Sequence, residues 1–294
     1  MRVYHDKLFS KKFKRPEFTI QHKADRKTAS NFHSHSGFEI VWLQKGEATY
    51  IFEEKVFRLS KGQILFFKST DFHKVKLHEG VPYERVVTLF SEDFLKFKHP
   101  IFEKFKSFLD NLPSPQYVLN VQAWKEEQLQ QIVDHLLFEQ ENEDLWEKEA
   151  ALELYLLELL LFLCREIQSS FAQNSHLIVK RDSRKVEMLE RILKEINEIW
   201  NTDWRLDSLA QTLHLNKYYL CHFFKKEFGL TIHDYILQRR IYEAKKLLIL
   251  TSSPVNQVSE KVGFSSPSSF IRSFKQQVSM TPKQYRTNAH IFKH

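Results

Sequence analysis

The last third of the chain repeats itself, and the repeat constrains its folding more than any other feature. Laid over itself at an offset of 50, it matches Leu220 with Phe270, Phe224-Lys225 with Phe274-Lys275, Thr231 with Thr281 and Tyr235 with Tyr285. Upstream the offset falls to 49: Leu206 meets Val255, Leu209 meets Val258, Leu213 meets Val262 and Leu215 meets Phe264. The second copy therefore carries one extra residue in its turn. Each copy reads as a short helix, a tight turn and a longer helix, 207–213 then 217–228, and 256–262 then 267–278. The shared apolar positions fix the angle between the paired helices and leave the N-terminal face of the second free for a major groove. Thr231 and Asp234 have the spacing of a capping box, opening a connecting helix over 231–250 that stops before Pro254. Such a helix is about 30 Å long, close to the roughly 34 Å between successive major-groove faces of one duplex.

The charge follows the same division. Across 294 residues, 44 Lys+Arg against 37 Asp+Glu give a formal +7. From residue 184 onward 18 basic residues face 10 acidic ones, a net +8, which leaves 26 against 27, a net −1, for the rest. A basic module joined to a near-neutral one points to a polyanionic partner. Length suggests two domains, and 42% hydrophobic with 28% charged residues excludes collagen-like and disordered classes. Six glycines leave no Gly-rich phosphate loop, and no nucleophile elbow occurs. Cys164 and Cys221 lack Cys-x-x-Cys spacing and sit in apolar or aromatic runs, which predicts small buried hydrophobes in a reducing compartment. The first ten residues hold no apolar signal segment, and the longest apolar run, 154–164, is about half of the roughly 20 residues a membrane span needs. A cytoplasmic location is expected.

Between Phe32 and Phe90, apolar segments of strand length (38–43, 48–52, 55–59, 63–67 and 86–90) alternate with turn signals including Gly46 and Gly62, which predicts a β domain over 1–115. After Pro115 the period becomes helical. Val121, Trp124, Leu129, Ile132, Val133, Leu136 and Leu137 form one stripe, and 145–167 forms a more apolar helix. The apolar excess of this 116–170 segment predicts self-association, with Leu156 and Leu160 as candidate contacts. A polar linker over 171–183 leads to the basic domain, 184–294. The fold class is α+β in two domains.

The segment Val262-Gly263-Phe264, Ser269-Phe270, Arg272, Phe274-Lys275, Thr281-Pro282 and Tyr285-Arg286 resembles the signature of the AraC/XylS class of bacterial transcription regulators. Leu209-Ala210, Leu220, Phe224-Lys225-Lys226 and Gly229 agree in the first copy, and Arg240-Ile241, Ala244 and Leu247-Leu248 in the connecting helix. Ser279 departs from the glycine usual at that helix end, at a cost of about 1 kcal/mol. The resemblance implies an operator-binding regulator, not an enzyme, acting as an activator with RNA polymerase, as a homodimer, in response to a small molecule, with a carbohydrate suggested by family analogy. It assigns base contacts to Tyr218, Cys221, His222, Pro267, Ser268, Ser269 and Arg272. Among these, Arg272 can pair bidentately with guanine. Lys217, Lys225, Lys226, Lys261 and Lys275 are candidate phosphate contacts, which position without specifying sequence.

His33-Ser34-His35, Glu39, Gly46, Gly62 and His73 are similar in spacing to the two motifs of the cupin barrel. That likeness implies a cupin-like β-barrel. Two readings follow. In the first, His33, His35, Glu39, Trp42, Tyr50 and His73 line an effector pocket with no metal or cofactor, and Phe66 and Phe72 offer further aromatic faces. In the second, His33, His35, Glu39 and His73 hold Fe, Mn, Zn or Ni, and the chain is a metal-dependent cupin enzyme fused to a DNA-binding module. Lys68, Thr70 and Leu77 depart from the second cupin motif.

Overall fold

A computed structural model describes residues 18–24, 32–34, 37–68, 71–78, 80–91, 100–111, 116–172 and 184–291. They divide into two compact units, one made of residues up to 172 apart from Glu53–Lys55, and the other of residues 184–291 together with Glu53–Lys55. The first unit contains β1 (Phe18–Ala24), β2 (Phe38–Ile51), β3 (Val56–Ser60), β4 (Gln63–Lys68), β5 (Lys74–Leu77), β6 (Tyr83–Phe90), α1 (Pro100–Asp110), β7 (Gln116–Asn120), α2 (Ala123–Glu141) and α3 (Lys148–Ala172). The strands pair antiparallel in the order β1-β6-β2-β4-β7, with β3 and β5 joined to the far half of β2.

The segments expected at 38–43 and 48–52 are one continuous strand. Its register slips between Leu43 and Lys45 opposite β6. Gly46, at φ +83°, permits the bend, because a Cβ there would lie 1.5 Å from the Pro82 carbonyl oxygen. The bulge reverses the side-chain parity. Before it, Val41 and Leu43 join one core; after it, Ala48, Tyr50 and Phe52 join that same core, together with Leu65 and Phe67 of β4. Phe38, Ile40 and Trp42 point the other way, into a second core with Leu129, Ile132, Leu136 of α2 and Leu156, Leu160, Leu163 of α3. At the edge strand β1, the Gln140 side-chain amide takes the place of a missing strand. Its Oε1 accepts from Ile20 N (2.6 Å) and its Nε2 donates to Ile20 O (2.5 Å).

Three expectations change. Strand β7 lies past residue 115 and pairs with β4, so the sheet extends into the segment assigned to helices. Helix α3 runs through Ala172, two residues into the expected linker, and 173–183 lie outside the described residues. Leu156 and Leu160 are 0% and 1% exposed within their own chain, so they hold the helices to the sheet and are not free for a partner.

The second unit is helical: α4 (Arg184–Ile199), α5 (Leu206–Thr212), α6 (Lys217–Phe228), α7 (Ile232–Leu250), α8 (Val255–Lys261), α9 (Pro267–Val278) and α10 (Pro282–Ile291). The internal repeat is a repeat of packing. Phe224 meets Tyr235 edge-on at 5.7 Å and 74°, and Phe274 meets Tyr285 at 5.5 Å and 75°. The turn in each copy passes through a left-handed residue, His214 (φ 53°) in the first and Gly263 (φ 81°) in the second. Gly263 is also forced by space, since a Cβ would stand 2.5 Å from the Asn201 carbonyl oxygen. Two arginines clamp corresponding helix ends: Arg240 donates to Trp200 O (2.6 Å) and Thr202 O (2.7 Å), and Arg286 to Leu248 O (3.1 Å) and Ser253 O (2.6 Å). Each satisfies carbonyls left over where a preceding helix stops.

Candidate nucleic-acid interface and effector site

Helices α6 and α9 begin at capped, acid-free N-termini. The Asn216 side chain accepts from Tyr218 N (2.9 Å) and Tyr219 N (3.4 Å), and the Ser266 hydroxyl accepts from Ser269 N (3.3 Å), with Pro267 at the first helical position. Neither helix has an acidic residue in its first turn, which suits a helix N-terminus facing phosphate. The one acid of α6, Glu227, is turned inward and paired with Lys185 of α4 at 2.9 Å.

Apolar residues at helical spacing decide which side chains remain outside. Leu220, Phe224 and Phe228 are buried in α6, and Phe270, Phe274 and Val278 in α9. The opposite faces expose Tyr218, Cys221, His222 and Lys225 in α6 and Pro267, Ser268, Arg272 and Lys275 in α9. Lys226 and Lys261 are exposed as well. Cys221 is thus a surface thiol and not the buried hydrophobe expected; Cys164 is half-buried, and burial pushes its thiol up to about 12. Ser269 is half-buried, and its hydroxyl donates to the Ser266 carbonyl (2.9 Å), so it serves the helix start. Ile271, which sequence reasoning passed over, is exposed at the position matching Cys221; the offset of 50 already pointed to it. Lys217 bonds Asp207 of α5 (2.8 and 3.0 Å), a contact that holds its ammonium above the usual lysine range.

In the N-terminal unit the structure gathers part of the expected effector set. His33 and His73 exchange two backbone hydrogen bonds of 2.9 Å, and their rings lie 4.3 Å apart. His73 is buried; its Nδ1 bonds the Asp71 carbonyl at 2.7 Å, so that nitrogen carries the proton, and its Nε2 stands 3.7 Å from Glu39 Oε2. Phe67 packs edge-on against the His73 ring at 4.8 Å and against Tyr50 at 6.4 Å. The Tyr50 hydroxyl meets that of Tyr83 at 2.6 Å, and Arg85 lies over the Tyr83 ring at 4.3 Å. Burial, reinforced by the neighbouring Tyr83, raises the Tyr50 hydroxyl well above its ordinary value.

Trp42 and Phe66 do not belong to this group, because strand alternation sends both into the helix-facing core. Phe67, one residue on, takes the place expected of Phe66. Phe72 stacks on Phe32 at 4.9 Å. His35 lies outside the described residues, and among the described residues no group of three or more His, Cys, Asp or Glu is arranged to hold a metal. None of the described helices is long and apolar enough to cross a membrane.

Residues 15–160 match the family model of the AraC-like ligand binding domain, and residues 209–288 match a helix-turn-helix domain. The chain is 33% identical over 107 residues to the HTH-type transcriptional regulator YtdP of Bacillus subtilis, a match covering 36% of this chain but 14% of that protein. It is 22% identical over 254 residues to the HTH-type transcriptional activator RhaR of Salmonella dublin, covering 86% of each. Among solved structures, the C-terminal domain of the two-component response regulator yesN from Fusobacterium nucleatum is 39% identical, covering 34% of this chain and 98% of that one, with a TM-score of 0.33.

Proposed function

The chain belongs to the AraC/XylS class of transcriptional regulators, with a ligand-binding domain followed by a helix-turn-helix DNA-binding domain, and from that premise we propose which residues read the operator and how the chain assembles on it. Tyr218, Cys221, His222, Ser268 and Arg272 contact base edges, with Pro267 and Ser269 shaping the entry of α9. Lys225, Lys226, Lys261, Lys275 and Lys217 contact phosphates, Lys217 by exchanging Asp207 for the backbone. The observation that carries this is the pair of capped helices presenting corresponding faces, with the only acid of either helix turned inward. In fluorescence-anisotropy titrations against fragments selected from genomic DNA, Arg272→Ala lowers discrimination at particular base pairs. Lys225→Ala weakens all sequences alike and makes the salt slope shallower by about one. Equal effects from both variants refute the division of roles.

His33, Glu39, Tyr50 and His73 surround the effector, with His35 completing the set, and effector binding favours one of two arrangements with different operator affinity. The chain acts in the cytoplasm as an activator working with RNA polymerase. Its homodimer forms through the exposed apolar residues of α2 and α3: Trp124 and Phe138 on one helix, Leu154 and Leu161 on the other. Each pair falls on a stripe of heptad spacing, the pattern of helices that pack side by side. The metal-enzyme reading keeps one observation in its favour, the His73 ring oriented through Nδ1 with Nε2 turned toward Glu39. Elemental analysis decides it: near-stoichiometric Fe, Mn, Zn or Ni, lost on replacing His33 and His73, would overturn the metal-free sensor.

A further inference from the structure

Helix α9 turns four residues outward on one stripe. Ser268, Ile271, Arg272 and Lys275 are all exposed, at the i, i+3, i+4 and i+7 spacing of a single helix face. Ser269 lies off that stripe, half-buried, with its hydroxyl given to the Ser266 carbonyl. The side chain that stands beside Arg272 in the outward face is therefore Ile271, the fifth residue of the helix.

Nothing within the protein accounts for an isoleucine there. Phe270, Phe274 and Val278 fill the core side of α9 and are at most 5% exposed, whereas Ile271 is 39% exposed. Helix propensity does not favour it either, since β-branched residues are weaker helix formers than straight-chain polar ones. A single exposed apolar side chain is ordinary on a protein surface, but this one recurs. The first copy has Cys221 at the matching position, also exposed, three residues after Tyr218, next to His222 and four residues before Lys225. Each copy thus turns a small apolar group outward, followed by a nitrogen-bearing side chain and then a lysine. The lysines, Lys225 and Lys275, agree between the copies, while the three outward positions before them all differ.

The chemistry of a major groove restricts what such a group can recognise. Base edges there carry hydrogen-bond donors and acceptors, and thymine adds a C5-methyl group. Isoleucine offers neither donor nor acceptor, so it desolvates a polar edge without replacing the bond lost, and gains only against the methyl. We propose that Ile271 is a specificity-determining residue that packs on the 5-methyl group of a thymine within two base pairs of the guanine paired with Arg272. The proposal deepens the operator-reading assignment and rests on it. Neighbouring residues are displaced about 1.5 Å along a helix axis, less than the roughly 3.4 Å of one base step, which keeps the two contacts close together. Because residues 221 and 222 differ in chemistry from 271 and 272, the two copies read dissimilar sequences with one fold.

The test uses the full chain and the tightest-binding fragment selected from genomic DNA, with each thymine replaced singly by deoxyuridine, which deletes the methyl group and nothing else. Fluorescence anisotropy is expected to show about a fourfold loss of affinity at one thymine, the worth of one buried methyl group, and no loss at that position in Ile271→Ala. Losses at the other thymines should be the same in both proteins. The proposal is overturned if no deoxyuridine loses its cost in Ile271→Ala, if that variant weakens every sequence alike, or if the thymine lies more than two base pairs from the guanine lost to Arg272→Ala. Should Arg272→Ala lower discrimination while Ile271→Ala leaves every deoxyuridine cost in place, the thymine contact falls and α9 remains a base reader. Should neither variant change discrimination, base reading by α9 falls with it.

Discussion

The two recognition helices end in the same backbone conformation with different residues, and this allows a quantitative comparison within one molecule. Helix α6 ends at Gly229 (φ 71°, ψ 9°), whose N–H donates to Lys225 O at 2.8 Å; α9 ends at Ser279 (φ 65°, ψ 9°), whose N–H donates to Lys275 O at 2.8 Å. Both residues are exposed, so side-chain packing does not enter the comparison. A left-handed L-residue costs roughly 1–2 kcal/mol, and glycine's extra chain entropy returns roughly 0.5–1 kcal/mol of that. Ser279→Gly should therefore stabilise the end of α9 by about 0.5–1 kcal/mol, and Gly229→Ser should destabilise α6 by a similar amount. Native-state hydrogen exchange reads this locally, as protection about two- to fivefold greater at the buried amides of α9 and α10 in Ser279→Gly. Ser279→Ala is the control, because it keeps the backbone cost and removes only the hydroxyl. Equal protection in wild type and Ser279→Gly, or a gain in Ser279→Ala as large as in Ser279→Gly, refutes the backbone explanation.

Other perturbations separate further claims. Leu161→Asp should leave circular dichroism and melting nearly unchanged but convert dimer to monomer in sedimentation, whereas Leu156→Asp should unfold the N-terminal unit, because it buries an unpaired charge; identical behaviour of the two would sink the assigned face. Gly46→Ala should destabilise that unit by more than about 3 kcal/mol, from a clash with backbone and a positive φ together, seen as loss of the cooperative melt. Lys74 is buried, and burial lowers its pKa to about 8. Its unfolded form binds the proton more tightly, so its contribution to stability rises as pH increases from about 8 toward the ordinary lysine value. Lys74→Met should flatten that rise in urea-unfolding series, and an unchanged slope would assign it to other groups. Arg286→Lys keeps the charge but cannot span the Leu248 and Ser253 carbonyls with a planar fork; a loss of roughly 1–2 kcal/mol is expected in thermal unfolding.

The C-terminal unit was legible because its information is local and repeated. Helices 217–228 and 267–278 and the extra turn residue of the second copy follow from spacing and turn chemistry, and the left-handed end at Ser279 was implied by the family resemblance. The two arginine clamps escaped the overlay. Tyr235 and Tyr285 align at an offset of 50, but Arg240 and Arg286 are 46 apart, so the second arginine sits one helical turn earlier on the same face. The N-terminal unit was read less completely. Short strands β1, β5 and β7 lack strong alternation, and the pairing of Trp42 with Tyr50 failed at the bulge between Leu43 and Lys45, which inverts every side chain that follows it.

The sequence by itself determined the class of the molecule, its two-part division, the duplicated groove-reading motif and the concentration of positive charge on it, since each depends on residues close together in the chain. Only the tertiary structure decided which leucines of α3 are core and which are surface, that Cys221 is exposed, and on which side of the sheet Trp42 lies. Those outcomes depend on which faces of an element meet distant parts of the chain. A fully apolar helix does not declare its packed face, and one extra residue in a strand is enough to exchange interior for exterior.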